Sequence, residues 1–344
     1  MHVLVVDDSA VVRHTVSALL AQESDVTVDV ASDPFIAMNK MAVRRPDVML
    51  LDIEMPRMDG LTFLRKIMSE DPIPIVICSA HSGPGLHDSV RALEYGAIDV
   101  VGKPRVGVQE FLYESSVTLL DALRGAARAQ LRARAFAPAE PVRRVAAVSV
   151  RASLVGVDKV IAIGASTGGT DAIRELLVAM PPDCPGLVIV QHMPEGFTTA
   201  FARRLNELCA IEVREAKGGD EVRPGLALIA PGNRHMRLDQ RATAYVVRVE
   251  DGPLISRHRP SVDALFESVA RVAREGAVGV ILTGMGDDGA NGLLQMKRAG
   301  ARTIAQDEKS SVVFGMPNKA IARGAAEEVL PLGEIAGAIV RRRQ

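Results

Sequence analysis

Short apolar runs rich in β-branched residues alternate with segments of helical periodicity along the first third of the chain. Val12, Val16, Leu19 and Leu20, for example, fall on one face of a helix. The runs that predict strands are Val3–Val6, Val26–Ala31, Val48–Leu51, Ile73–Cys78 and Ile98–Val101. Strand–helix alternation predicts right-handed crossovers and a doubly wound parallel sheet of five strands, closed by a helix over about 108–131.

A second block of the same kind begins near Val157. Its predicted strands are Val160–Gly164, Leu187–Gln191, Leu226–Ala230, Tyr245–Val249, Val278–Thr283 and Arg302–Ala305. Between the first two, Ile173, Leu176, Leu177 and Met180 form one apolar helical face. We therefore predict a second, larger, doubly wound α/β domain that is mostly parallel and has room for an antiparallel edge.

The composition changes between the two blocks. An arginine- and alanine-rich stretch over 124–134 runs into a segment rich in proline and alanine, as a helix that ends in a linker does. We therefore divide the chain into a domain over 1–125, a helix end and linker over 126–155, and a domain over 156–344.

Charge and composition exclude several classes of protein. A net charge of −1 over 344 residues argues against wholesale binding of nucleic acid or of a membrane surface. The three cysteines show neither a zinc spacing nor a disulfide framework. The chain begins in a strand without a signal-peptide pattern, and no apolar run approaches the roughly 20 residues of a membrane span. We expect a soluble cytoplasmic protein that neither binds nucleic acid nor inserts into a membrane.

Polar residues stand at the ends of four predicted strands in the first block: Asp7 and Asp8, Asp52, Ser79 and Lys103. In a parallel sheet these ends form one crevice. Three carboxylates crowded there repel one another, and a hard divalent cation such as Mg²⁺ relieves the repulsion. The pattern therefore predicts a magnesium site.

These residues and the loop Leu51-Asp-Ile-Glu-Met-Pro-Arg-Met-Asp-Gly60 resemble the receiver domain of two-component response regulators, which is flavodoxin-like. The resemblance implies that Asp52 accepts a phosphoryl group from a histidine kinase, and that Ser79 and Lys103 contact the phosphoryl oxygens. It implies Mg²⁺ ligands from Asp8, Asp52 and the carbonyl of Glu54, with Asp7 acting largely through water. Many receivers carry an aromatic switch residue three positions before the lysine, where this chain has Val100.

A serine follows the first predicted strand of the second block, in Gly164-Ala-Ser-Thr-Gly168. A serine nucleophile needs a base and a group that orients the base. His192 and Asp288 also follow apolar runs, so three strands would bring them to Ser166. The order Ser…His…Asp disfavours the α/β-hydrolase fold. A dinucleotide-binding turn would need glycine in place of Ser166.

Three other residues compete for roles at this site. His235 follows another predicted strand and is a rival base, and His258 lies in a polar loop from which it can contact substrate. Asp287 and Asp288 are adjacent, so the pattern alone does not separate them.

Five strings over 157–340 resemble the catalytic domain of the CheB family of chemotaxis protein-glutamate methylesterases. They are Ile163-Gly-Ala-Ser-Thr-Gly-Gly-Thr170, Val190-Gln-His-Met-Pro-Glu-Gly-Phe-Thr198, Ile229-Ala-Pro-Gly232, Arg259-Pro-Ser-Val-Asp263 and Leu282-Thr-Gly-Met-Gly-Asp-Asp-Gly-Ala290. The resemblance implies that Ser166 is the nucleophile, His192 the general base and Asp288 its orienter. We expect backbone N–H groups of Thr167 and Met285 to stabilise the oxyanion.

The implied reaction is hydrolysis of glutamate methyl esters on methyl-accepting chemoreceptors, with deamidation of receptor glutamines and no cofactor for the ester chemistry. We expect phosphorylation of Asp52 to control access to Ser166. The alternatives are a phosphorylation-dependent receptor-binding scaffold, a methylesterase of a chemosensory pathway unrelated to motility, and an esterase of small molecules.

Overall fold

The computed structural model describes residues 1–80, 85–104, 109–129 and 160–340. The chain forms two compact units, Met1–Ala137 and Pro138–Gln344. The predicted linker over 126–155 and its arginines lie almost wholly outside the described residues, so its bounds stay a prediction.

The first unit is a five-stranded parallel sheet in the order β2-β1-β3-β4-β5, as predicted. Its strands are β1 (His2–Val6), β2 (Thr27–Ala31), β3 (Val48–Asp52), β4 (Ile75–Ser79) and β5 (Asp99–Gly102). Its helices are α1 (Ala10–Leu20), α2 (Pro34–Val43), α3 (Gly60–Glu70), α4 (Gly85–Glu94) and α5 (Gln109–Ala127). Strands β1, β3 and β4 are wholly buried because helices cover both faces of the sheet.

Three helices of this unit begin at a side chain that accepts a backbone N–H. Ser9 caps α1, Asp33 caps α2 and Asp59 caps α3. Each cap satisfies a donor that the first turn of a helix leaves unpaired. The caps fix where each loop at the carboxyl edge of the sheet turns into a helix.

The second unit is built on a seven-stranded sheet in the order β14-β13-β12-β6-β7-β9-β8, in which every pair is parallel. Its strands are β6 (Val160–Ala165), β7 (Gly186–Gln191), β8 (Glu212–Glu215), β9 (Leu226–Ile229), β12 (Ala277–Ile281), β13 (Arg302–Gln306) and β14 (Glu328–Leu330). Its helices are α6 (Gly169–Val178), α7 (Phe197–Leu208), α8 (Val262–Val272), α9 (Ala290–Arg298), α10 (Met316–Ala322) and α11 (Leu332–Val340). The predicted second α/β domain is confirmed.

The antiparallel element differs from the expectation. It is a separate two-stranded sheet of β10 (His235–Arg241) and β11 (Ala244–Glu250), not an edge of the large sheet. The hairpin has its own apolar face, on which Met236, Leu238 and Val247 are fully buried.

The three central strands of the large sheet position the site. Strand β6 lies between β12 and β7, and the chain runs outward from β6 in both directions. In open α/β sheets such a switch point leaves a crevice at the carboxyl ends of the strands. Ser166 follows β6 directly and His192 follows β7 directly, while Asp288 lies in the loop after β12.

No helix among the described residues is long and apolar enough to cross a membrane.

A buried hydroxyl joins the hairpin to α8. Ser268 accepts the N–H of Leu238 at 2.8 Å and donates to the Leu265 carbonyl at 2.6 Å. Ser268→Ala leaves that buried N–H without a partner, so we expect the free energy of unfolding to fall by about 1–3 kcal/mol. Denaturant unfolding of the full chain measures the change. Thr199→Ala, which removes an exposed hydroxyl, is the control and should change the value by less than about 0.5 kcal/mol.

Candidate functional site

The carboxyl edge of the first sheet holds a cluster of charged side chains. Carboxylate oxygens of Asp7, Asp8 and Asp52 all lie within 4.8 Å of one another. Lys103, which follows β5, places its Nζ 2.7 Å from Asp52 Oδ2 and 3.0 Å from Asp7 Oδ2. The guanidinium of Arg13 binds the carbonyls of Asp7 and Asp8 and so holds their loop. The predicted residues therefore meet around one point.

Burial makes the negative charge of these carboxylates unfavourable unless further positive charge is present. Burial, followed by the negative charge of Asp7, raises the pKa of Asp52 to about 6, although the bond from Lys103 opposes the shift. Burial would lower the pKa of Lys103, but its bonds to Asp52 and Asp7 raise it instead. Asp7 Oδ2 is buried and its charge is met by the ion pair with Lys103, so a cation would compete with Lys103 for this oxygen.

Three further residues of the first domain were singled out from the sequence: Ser79, Glu54 and Val100. Ser79 ends β4 and is buried. Glu54 has an exposed side chain, and its backbone N–H donates to Asp52 Oδ1 at 3.3 Å. Val100 is buried in β5, so this position supplies no aromatic ring that can change rotamer. These residues and the three carboxylates fit a hard divalent cation and an anionic group beside Lys103.

Ser166 stands in a tight strand-to-helix turn. Gly168 has a φ of +75°, and a Cβ there would lie 2.5 Å from Val312 Cβ. At Gly169 a Cβ would overlap Gln191 Oε1. Glycine is therefore required at Gly168, just before α6, and at Gly169, the first residue of α6. Ser166 is held by backbone as well, since its N–H donates to the Thr283 carbonyl at 3.0 Å.

His192 and Asp288 form a direct pair. His192 Nε2 lies 2.8 Å from Asp288 Oδ2. Asp288 accepts this bond, so Nε2 carries the proton and Nδ1 is left as the acceptor nitrogen. Nδ1 is buried and has no hydrogen-bond partner. Among the described residues no hydrogen bond joins the Ser166 hydroxyl to His192, and such bonds often tighten only with substrate bound.

The Asp288 carboxylate occupies the N-terminus of α8. It accepts the backbone N–H groups of Val262 (2.7 Å) and Asp263 (2.9 Å) and the hydroxyl of Ser261 (2.8 Å). Burial alone would raise the pKa of Asp288, but the bond from His192 and these donors lower it. Asp288 therefore stays ionised beside His192.

The structure separates the rival residues. Asp287 pairs with the guanidinium of Arg323 at 3.0 Å, not with His192. The ring of His235 binds the carbonyl of Pro253 at 2.8 Å. His258 stacks on His192, with ring centroids 3.7 Å apart.

Three contributors to the site were not identified from sequence. Ser261 and Asp263 hold Asp288, and the amide of Gln191 donates to the carbonyls of Ser166 (2.9 Å) and His192 (3.2 Å). A serine before an apolar helical run does predict the N-cap at Ser261. No sequence signal indicates that a carboxylate from a distant loop shares that helix N-terminus. Thr167 is buried behind Ser166, and Met285 is half-buried in the loop after β12.

Together these features define a two-domain regulatory protein with a serine-based site in its second domain. A family profile described as CheB methylesterase matches residues 161–339, and one described as response regulator receiver domain matches residues 3–111. The chain belongs to the CheB methylesterase family, with a receiver domain preceding the catalytic domain.

Relatives that match over almost their whole length, and a solved structure, support this family assignment. A "protein-glutamate methylesterase/protein-glutamine glutaminase 5" of Anaeromyxobacter dehalogenans is 58% identical over 99% of this chain and 96% of its own. A relative in Oleidesulfovibrio alaskensis, numbered 2 under the same name, is 52% identical over 98% and 97%. The Thermotoga maritima CheB methylesterase catalytic domain is 37% identical, covers 53% of this chain and 96% of its own, and superposes with a TM-score of 0.52.

Asp263 gives a test of the electrostatics around Asp288. Burial, followed by the charge of Asp288, raises the pKa of Asp263 to about 6. The folded state thus keeps a proton that the unfolded state releases, and stability should fall by roughly 1–3 kcal/mol as the pH rises from about 4 to 6. Asp263→Asn keeps an acceptor for the Gly292 N–H and should remove this decline.

The free energy of unfolding of the native chain and of Asp263→Asn, each measured between pH 4 and 7, tests this prediction. The difference between the two proteins at each pH isolates Asp263, because the other titrating groups contribute equally to both. Asp287→Asn, at the partly exposed pair with Arg323, is the matched control and should keep the slope of the native chain. An unchanged slope in Asp263→Asn would contradict the assigned pKa.

Proposed function

We propose that this chain is a phosphorylation-regulated methylesterase of a chemosensory pathway. Its substrates are γ-glutamyl methyl esters of methyl-accepting chemoreceptors, and it releases methanol. The observation that carries the proposal is the 2.8 Å bond from His192 to Asp288, which leaves Nδ1 as a free base near a serine at the end of the adjacent strand. The printed names of the full-length relatives support the substrate class.

Acyl transfer uses three side chains. Ser166 Oγ attacks the ester carbonyl carbon while His192 Nδ1 accepts the hydroxyl proton. The bond to the methoxy group breaks, and the imidazolium gives its proton to the leaving oxygen. Water then attacks the acyl-serine, loses a proton to the same nitrogen, and releases the glutamate carboxylate and the Ser166 hydroxyl. Asp288 fixes the tautomer and stabilises the imidazolium.

Backbone N–H groups near Ser166 stabilise the oxyanion. The N–H of Thr167 makes no hydrogen bond within the described part of the chain and precedes α6, whose N-terminus favours negative charge. The N–H of Met285, on the loop beside Ser166, is the second donor. One such donor is worth about 3–4 kcal/mol of transition-state energy.

The same site deamidates receptor glutamines, because an amide carbonyl presents the same geometry to Ser166. Ammonia then leaves in place of methanol. The amide reacts more slowly than the ester because its leaving group is poorer. The relatives that carry the glutaminase name support this second reaction.

The first domain receives the regulatory signal. A histidine kinase donates a phosphoryl group to Asp52, and Ser79 and Lys103 contact its oxygens. Asp8, Asp52 and the Glu54 carbonyl would hold Mg²⁺, with Asp7 acting largely through water, and the ion would neutralise the charge that builds up during transfer. The three carboxylates, whose oxygens lie within 4.8 Å of one another, support this ligand set. The reaction takes place in the cytoplasm, where we place the chain.

Ser166→Ala removes the nucleophile, so methanol release from methylated receptors should fall at least about 10³-fold. Asp287→Asn alters the neighbouring acid, which is paired with Arg323, and should retain activity within about twofold. Methanol is measured with full-length protein. Retained release in Ser166→Ala would remove this serine from the mechanism, and retained receptor binding without any release by the native chain would favour a scaffold.

Asp52→Asn removes the phosphoryl acceptor. A small-molecule phosphodonor with Mg²⁺ should increase methanol release by the native chain, and chelation of Mg²⁺ should prevent the increase. Asp52→Asn should show the basal rate under both conditions, since no other residue of the cluster takes its place. Asp8→Asn, which removes one proposed Mg²⁺ ligand but not the acceptor, should need more Mg²⁺ for the same response.

A further inference from the structure

His258 lies face to face with His192. The ring centroids are 3.7 Å apart and the ring planes differ by 12°. A tight two-residue turn presents His258: Ile255 and His258 exchange both backbone hydrogen bonds (3.1 and 2.9 Å). The two central residues, Ser256 and Arg257, have φ values of 49° and 69°, as in a type I′ turn.

Hydrogen bonds to two side chains and one backbone carbonyl fix this turn. Ser256 donates to Asp263 Oδ2 at 3.1 Å, at the first turn of α8. The guanidinium of Arg259 binds Asn233 Oδ1 at 2.9 Å and also the Gly252 carbonyl. The position of the His258 ring is therefore set by the protein, without any contribution from a bound substrate.

The surroundings keep this ring neutral. Burial, followed by the neighbouring His192 and Arg257, lowers the pKa of His258 well below its usual range, and Asp288 opposes the shift only in part. Asp263, which accepts the hydroxyl of Ser256, and Arg259, whose guanidinium binds Asn233, are further ionisable groups beside this turn. At neutral pH His192 therefore has an uncharged aromatic face against it.

A single hydrogen bond does not fix the orientation of an imidazole ring. His192 is held at Nε2 by Asp288, while its buried Nδ1 has no partner. Rotation about the Cα–Cβ and Cβ–Cγ bonds can still tilt the ring plane, and such a rotation moves Nδ1 away from the nucleophile. A flat face at van der Waals distance blocks the rotation.

We propose that His258 is a positioning residue, whose stacked ring holds His192 with Nε2–H on Asp288 and Nδ1 directed at the nucleophile. It exchanges no proton itself and contacts no substrate. The proposal rests on the proposed function, in which His192 is the general base. A displacement of a catalytic group by about 1 Å can cost on the order of 100-fold in rate.

Two variants of similar volume test the proposal in the full-length chain. His258→Phe keeps a flat aromatic face without ring nitrogens and should keep kcat for methanol release within about threefold. His258→Leu fills the space without a flat face and should lower kcat about 10- to 100-fold with an unchanged KM. His235→Phe, which replaces a buried imidazole bonded to the Pro253 carbonyl, is the matched control and should keep kcat.

A proton spectrum of the His192–Asp288 hydrogen bond is independent of activity. Its low-field resonance should persist in His258→Phe and broaden or vanish in His258→Leu, as measured in each folded variant. Equal loss of kcat in both variants would assign proton transfer to His258, a rise in KM in both would assign substrate contact, and a native kcat in His258→Leu would show that the stack positions nothing. If the resonance behaves as stated but the native chain has no esterase activity, the proposed function is refuted and the positioning role of His258 is not.

Discussion

The buried negative charge of Asp288 is the constraint on which the catalytic domain depends. Only 1% of this residue is exposed, and an unpaired carboxylate so deep would cost many kcal/mol. Two backbone N–H groups and a hydroxyl at the start of α8 meet the charge, along with His192. The favourable end of the α8 dipole adds to them. The same charge thus fixes α8 against the loop after β12 and fixes the tautomer of His192.

This arrangement is reciprocal between two helices. Asp288 precedes α9 and binds the first turn of α8, while Asp263, in that first turn, accepts the N–H of Gly292 in α9 at 2.7 Å. These hydrogen bonds place two carboxylates close together, and burial together with the charge of Asp288 raises the pKa of Asp263. The folded state therefore loses stability when Asp263 ionises, because Asp288 is already ionised beside it. Through Ser256, Asp263 also holds the turn that carries His258.

The sequence was sufficient for most of the two parallel sheets, because strands buried on both faces are continuous apolar runs. It was insufficient for β8, β10 and β14, where polar residues interrupt the pattern on partly exposed strands. Strand ends also indicated Ser166 and His192. Spacing did not separate Asp288 from Asp287, since only the folded loop directs one to His192 and the other to Arg323.

The two domains show different solutions to the same problem, a buried carboxylate beside the end of a strand. Asp288 is stabilised by donors fixed in a helix, so its pKa is lowered. Asp52 depends largely on the flexible side chain of Lys103, beside the like charge of Asp7, and its pKa is raised. Fixed donors suit the role proposed for Asp288, which orients His192 and keeps its negative charge throughout the reaction. A counter-charge on a side chain can move away from Asp52 without rearrangement of the backbone, which suits the role of phosphoryl acceptor proposed for Asp52.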